Sequence, residues 1–137
     1  MANEATLIYE TEIAIPFTVA NATGIEKGAI LKMTDPMTAI INSGAEDTIA
    51  GICSSEKIAS DGITKVGVYR RGIFKVTLSG SATVGDPLTT DTSVNMVKAA
   101  LTNNISGAKI IGYALETGTT GETILMELNI HSNAGRL

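Results

Sequence analysis

The sequence predicts an all-β fold: a small single-domain β-barrel or compact β-sandwich built from two similar β units, with an N-terminal arm. Three observations predict it. First, a phrase occurs twice. It runs from Gly28 to Asp35, then after a loop through Ile49, Ala50, Gly51, Ile52 and Cys53, with Glu56 close behind. It returns from Gly85 to Asp91, then through Ile110, Ile111, Gly112, Tyr113 and Ala114, with Glu116 close behind. Second, apolar residues alternate with the period of two that a half-buried strand requires. Third, Gly and Pro punctuate the chain, the apolar runs are short, and no stretch carries three turns of helical periodicity. Short strands between frequent turns belong to barrels and sandwiches.

The elements follow in order. From Leu7 to Val19 the odd positions hold Leu7, Tyr9, Ile13, Ile15, Phe17 and Val19, while Glu10 and Glu12 are even. That predicts a strand with one buried face. Pro16 cannot donate to a ladder, so it marks an edge or a break between two short strands. Asn21–Gly28 reads as a turn and Ala29–Met33 as a strand, closed by Asp35-Pro36. Ala39–Ile41 is a short strand, Asn42–Asp47 a polar turn and Ile49–Ser54 a strand. Ser55–Asp61 has room for one helical turn. Val66, Val68, Phe74, Val76 and Leu78 share a parity, interrupted at Arg70, so a bulge or bend is expected at Arg71-Gly72. Pro87–Thr89 and Val94–Ala99 are short strands, Leu101–Ala108 a loop and Lys109–Leu115 a strand. Thr117–Gly121 makes a tight hairpin connection to a last strand whose buried face is Ile124, Met126, Leu128 and Ile130. His131–Leu137 should fray.

This divides the chain into an arm or first strand over 1–20, a β-barrel domain over 21–130 and a flexible tail over 131–137. A chain of 137 residues can bury a core without staples. Aromatics are scarce, so that core must be Ile, Val, Leu, Ala and Met.

The formal charge of −4 argues against a nucleic-acid partner, which needs clustered Lys and Arg. The one basic cluster is Arg70 and Arg71 with Lys65 and Lys75, and it falls on both faces of a strand. No apolar run reaches the length of a spanning helix, so no membrane role is expected. The N-terminus lacks the basic start and apolar core of a signal peptide, which predicts synthesis and folding in a cytosol. Cys53 is the lone cysteine, so no intramolecular disulfide forms. It stands in an apolar run and reads as a buried, inert thiol.

Catalysis needs a base, a nucleophile or a metal cluster. His131 is the only histidine and lies near a chain end, without a rigid shell to orient it. A zinc site needs about four Cys or His ligands, and this chain offers two. Asp35, Asp47, Asp61, Asp86 and Asp91 all stand beside turn-forming residues, where Asp bonds its own backbone. No catalytic residue, cofactor or metal is expected. One enzyme-linked pattern remains. Val84–Leu88 followed by Val94–Lys98 faintly resembles a biotinyl or lipoyl carrier domain, with Lys98 as the modified residue. The spacing is too long for that family, and Val97 stands where its Met would be. An exposed strand lysine is the plainer reading.

Further phrases stand in a fixed order: Ala50–Ile52, Arg71–Val76 (Arg-Gly-Ile-Phe-Lys-Val), Val84–Leu88, Ile111–Glu116 and Ile124–Leu128. Together they resemble the small capsid decoration (head-stabilising, cement) proteins of bacteriophages, over about residues 20 to 130. The resemblance implies an all-β, non-enzymatic virion protein on the outer capsid surface. It also implies a homotrimer and an N-terminal arm touching the major capsid protein.

The residues themselves fit such a role. Thr6, Leu7, Ile8 and Tyr9 are the candidate capsid-binding residues, because Leu7, Ile8 and Tyr9 place apolar groups on both faces of one extended segment. A solvent-facing edge strand should avoid that, and pairing with another sheet edge would use it. The same alternation also fits a first barrel strand. Gly51 and Gly112 are expected to be equivalent structural glycines, since Gly weakens a strand unless a bulge or close approach needs it. The rival reading is another phage structural β module, a tail or fibre subunit.

Overall fold

The computed structural model describes residues 3–45, 47–100 and 109–130. The expected loop at 101–108 and the expected frayed tail at 131–137 lie outside the described residues, as does His131. Among the described residues there are strands and turns and no α-helix. The strands are β1 (Thr6–Tyr9), β2 (Ile15–Thr18), β3 (Ile30–Asp35), β4 (Thr38–Ile41), β5 (Ile49–Cys53) and β6 (Lys65–Tyr69). They continue with β7 (Arg71–Leu78), β8 (Pro87–Thr90), β9 (Met96–Ala99), β10 (Ile110–Ala114) and β11 (Thr123–Asn129).

Each repeated phrase closes into a five-stranded barrel of its own. The first barrel runs β2-β4-β3-β5-β6. The second runs β7-β11-β10-β8-β9 and returns to β7. The two are the same construction. In the first, β2 pairs antiparallel with β6 and parallel with β4 at Thr18 and Thr38. In the second, β7 pairs antiparallel with β11 and parallel with β9 at Thr77 and Met96. An isolated bridge of Ile25 with Lys57 recurs as Ala82 with Gly118. The Gly28 N–H donates to the Cys53 carbonyl at 2.9 Å, and Gly85 to Ala114 at 2.7 Å. Both glycines have positive φ, 89° and 93°, which is why each phrase opens on Gly.

Size is redistributed between the barrels while the interior stays filled. Phe17, Ala39 and Ala50 fill positions in the first core where the second has Val76, Val97 and Ile111. One large residue and two small ones replace three of middle size, the exchange that close-packed cores tolerate best. Ile30, Ile49 and Ile52 stand on strands of the first barrel but belong to the second buried cluster, with Phe74, Leu128 and Ile130. Tyr69 meets Phe74 edge-on, with ring centroids 5.7 Å apart. The two barrels therefore share one apolar seam.

Three sequence expectations change. The Leu7–Val19 alternation is two strands in two sheets. The break falls at Glu10–Ala14, where the chain leaves the second barrel for the first, while Pro16 lies within β2. Pro16 is tolerated because β2 meets β4 only at Thr18. Ser55–Asp61 forms no helical turn. Lys57 is held extended by both backbone bonds to Ile25, and Ser60 and Gly62 take positive φ. The interruption near Arg71-Gly72 is a full crossover: β6 ends at Tyr69 in one barrel and β7 begins at Arg71 in the other, with Arg70 as the single link.

Candidate functional site

The N-terminal segment is an edge strand laid on a barrel that is already closed. β1 pairs antiparallel with the first half of β7, Thr6 opposite Lys75 and Leu7 opposite Phe74. The second half of the same β7 edge is taken by β9. Among the described residues β1 has no other strand partner. A register shift between Leu7 and Tyr9 turns the end of β1 outward.

The candidate residues separate accordingly. Leu7 packs against the second core, next to buried Ala5, whose N–H donates to the Gly28 carbonyl at 2.9 Å. Thr6 is exposed, Ile8 is 39% exposed and Tyr9 66%. Ile13, which the alternation put inside, is 76% exposed, because parity does not carry across a change of sheet. The segment after β1 is fastened at the crossover. Burial raises the Tyr69 hydroxyl above its ordinary value, and the charge of Glu10 and its hydrogen bond add to the shift. Glu12 lies 3.8 Å from Arg71, an exposed pair that contributes little. Gly72, at φ 148°, lets the chain pass: a Cβ there would stand 3.2 Å from the Tyr9 carbonyl oxygen. A small cleft lined by Thr11, Arg71, Gly72, Ile73, Glu127 and Leu128 runs beside the arm.

Gly51 and Gly112 occupy corresponding places. Ala50 has no partner on β3, and Ile111 has none on β8, so each strand bulges just before its glycine. A Cβ on Gly51 would overlap the Tyr69 carbonyl oxygen, and one on Gly112 the Glu127 carbonyl oxygen. Both carbonyls belong to the neighbouring strand of the same barrel.

The remaining candidates serve structure. Asp86 accepts the Thr83 N–H at 2.9 Å, and Asp91 accepts the Thr92 N–H and the Ser79 hydroxyl, both at 2.8 Å. Those bonds hold the Asp91 carboxyl below its ordinary range. Burial pushes the Cys53 thiol up, away from the thiolate a nucleophile needs. Lys98 lies within β9 opposite Thr89, 3.6 Å from Asp91, and not at the hairpin tip a carrier lysine needs. Of the basic cluster, Arg70 turns inward, while Lys65, Arg71 and Lys75 are exposed. Among the described residues no group of three His, Cys, Asp or Glu could hold a metal ion. What the surface offers is a strand edge with apolar side chains beside it.

A family model described as phage cement protein matches residues 8–129. The chain belongs to that family. It is a capsid-associated structural protein of a bacteriophage. No curated protein matches it. Among solved structures it is similar to the head fiber gp8.5 N base in bacteriophage phi29, with a TM-score of 0.56 and 16% identity. The match covers 84% of this chain and 93% of that one. At that identity the likeness speaks for the fold. The expected all-β architecture of two similar units is the one found.

Proposed function

We propose that this cement-family protein binds the outer surface of a phage head as a homotrimer and stabilises it without catalysis. The carrying observation is the edge of β1 that no strand covers among the described residues, with Ile8 and Tyr9 exposed beside it. A strand of the major capsid protein can add to that edge. Its backbone would gain main-chain bonds, and shallow apolar pockets would take Ile8 and Tyr9. The second barrel closes without β1, so the docking strand can engage a partner without opening a core. A head repeats the contact many times, and three arms per trimer turn modest contacts into avidity.

The test is binding to purified heads that lack the protein, read by co-sedimentation and by the temperature at which the heads break. Saturable binding with a higher breaking temperature is expected. Heads that neither bind it nor gain heat resistance would overturn the proposal. The fold likeness to a head fiber base supports a second reading, in which the two barrels root a projecting fibre. A cryo-EM map of the particle separates them: density ending at the barrels fits cement, and density continuing outward fits a fibre.

A further inference from the structure

The first barrel carries a loop that its twin does without. From the Ile25–Lys57 bridge to the start of β6 the chain runs through residues 58–64. The matching connection in the second barrel, from Gly118 to β11, needs only residues 119–122. There Glu122 closes the turn on the Thr119 N–H at 2.7 Å. The construction thus closes with three residues fewer, and the extra length is not demanded by the barrel.

The longer loop is stiff. The Asp61 carboxylate accepts the N–H groups of Ile58 and Ile63, at 3.1 and 2.9 Å. Asn21 accepts the Ser60 N–H on its carbonyl at 2.8 Å and the Gly62 N–H on its side chain at 2.7 Å. Beneath lies Lys57, whose side chain is fully buried, with Nζ donating to the Asn21 and Thr23 carbonyls at 2.6 and 3.0 Å. This framework holds two isoleucines out in solvent: Ile58 is 69% exposed and Ile63 44%.

The charges around them balance: exposed Glu56 and Lys65 flank the loop with opposite signs. Residues 20–24 and 58–64 are all exposed, and Asp61 is the only ionisable residue in either stretch. Its charge is met by Lys57 Nζ at 3.4 Å. Over its whole length the protein carries a net −4. Like charges pressed together repel, so an acidic chain meets its own copy most favourably where neither brings net charge. The arm end, with Glu10, Glu12 and Arg71, is different. Ile15 pairs with Val68 near the arm, and Thr18 with Lys65 near the loop, so the two surfaces lie at opposite ends of the β2–β6 ribbon.

We infer that the Ile58–Ile63 loop, with Ala20–Gly24, is the surface by which copies of this chain associate, leaving β1 for the capsid. The occupant of the surface is the same loop of a second copy. In a three-membered ring identical residues meet only at the rotation axis, so this places the loop at that axis, where a rigid, apolar patch without net charge suits the contact. This rests on the proposed oligomeric, multivalent attachment and names its self-association surface.

The test pairs two variants. In Ile58→Ser/Ile63→Ser, light scattering should fall from a multiple of the chain mass to the single 14.2 kDa chain. Head binding should persist but weaken at least tenfold as avidity is lost. In Ser60→Cys, a short bis-maleimide should join chains through that position, because Cys53 is buried. The cross-link decides the matter if the double variant fails to fold. Wild-type protein that is a single chain, a double variant of unchanged mass, or absence of the Ser60→Cys cross-link each overturns the inference. A double variant that keeps its mass but loses the heads would assign the loop to the capsid instead. Loss of head binding by wild type would sink the proposed function and leave the mass and cross-link readings to judge this one.

Discussion

The Arg70 guanidinium donates from Nη1 to the Ala50 carbonyl at 2.7 Å, reaching back from the link between the barrels into the first one. Its carbon stands 5.7 Å from the centre of the Phe17 ring. The bulge explains the pairing: Ala50 has no partner on β3, so its carbonyl is available to a side chain. The Arg70 carbonyl in turn accepts the Ile130 N–H at 3.1 Å, from the end of the second barrel. One residue thus ties the strand link, the first core and the end of β11. Arg70→Leu should lower stability by about 2 kcal/mol, the scale of a hydrogen bond from a charged donor to a carbonyl left behind. Arg70→Lys should recover less than half, since an ammonium lacks the planar fork. Urea denaturation of both variants checks this, and an Arg70→Leu midpoint equal to wild type contradicts it.

Gly51 and Gly112 should be far less tolerant than a turn glycine. Gly62 has φ 85° and open space around it, so Gly62→Ala meets backbone strain alone, about 1 kcal/mol. Alanine at Gly51 or Gly112 would run into a main-chain oxygen of the adjacent strand, which a rotamer change cannot relieve. Each should cost about 3 kcal/mol or prevent folding. Similar thermal melts for all three variants would remove the argument.

The two glycines also mark how far the sequence was legible. A Gly inside an apolar strand is a local anomaly with few physical causes, so the duplicated unit can be read from residues alone, whereas whether a bulge or a close approach stands there needs the strand register. The last strand was legible for the same reason: Ile124, Met126 and Leu128 alternate without interruption and all are buried. What was not legible depends on which sheet a strand joins. The odd-numbered apolar residues from Leu7 to Val19 look continuous, yet Leu7 serves the second core, Ile13 serves neither and Phe17 serves the first. Periodicity reports a face and not a partner. The loop at 58–63 was obscured because its order comes from Asn21, distant in sequence, and from a buried lysine that composition counts as a surface charge.

Asp61 should make the loop sensitive to acid. Its carboxyl is held below the usual carboxylate range, first by the Ile63 N–H, with the Ile58 N–H and Lys57 adding to it. A group whose pKa is lower folded than unfolded stabilises the fold above its unfolded value, and that contribution is lost as pH falls through the folded one. The ordinary value is 3.8, so the advantage of wild type over Asp61→Asn should be full at neutral pH and shrink below about pH 4. Melting temperatures of the two proteins measured down to pH 2 should converge. A constant gap across that range would mean that geometry, and not charge, holds the loop.

Removing residues 2–12 should separate folding from attachment. The second barrel is closed by β7 and β9 without β1, so the truncated chain should keep its far-ultraviolet spectrum and a cooperative melt. It should be less stable, because Ala5 and Leu7 leave the second core and half of the β7 edge is uncovered. Losing two apolar side chains from a packed cluster costs about 2–4 kcal/mol. Binding to heads should be abolished, since the proposed docking edge is gone. Two milder variants guard against trivial damage. Ile8→Lys and Tyr9→Ala leave the β1–β7 ladder and Leu7 in place, and both side chains are exposed, so stability should move by less than about 0.5 kcal/mol. Head affinity should nevertheless fall at least tenfold in each, as expected when an apolar anchor leaves an interface centre. If the truncated chain and both variants decorate heads at wild-type occupancy, β1 is only the strand that covers β7. Attachment would then have to be sought on another surface of the barrels.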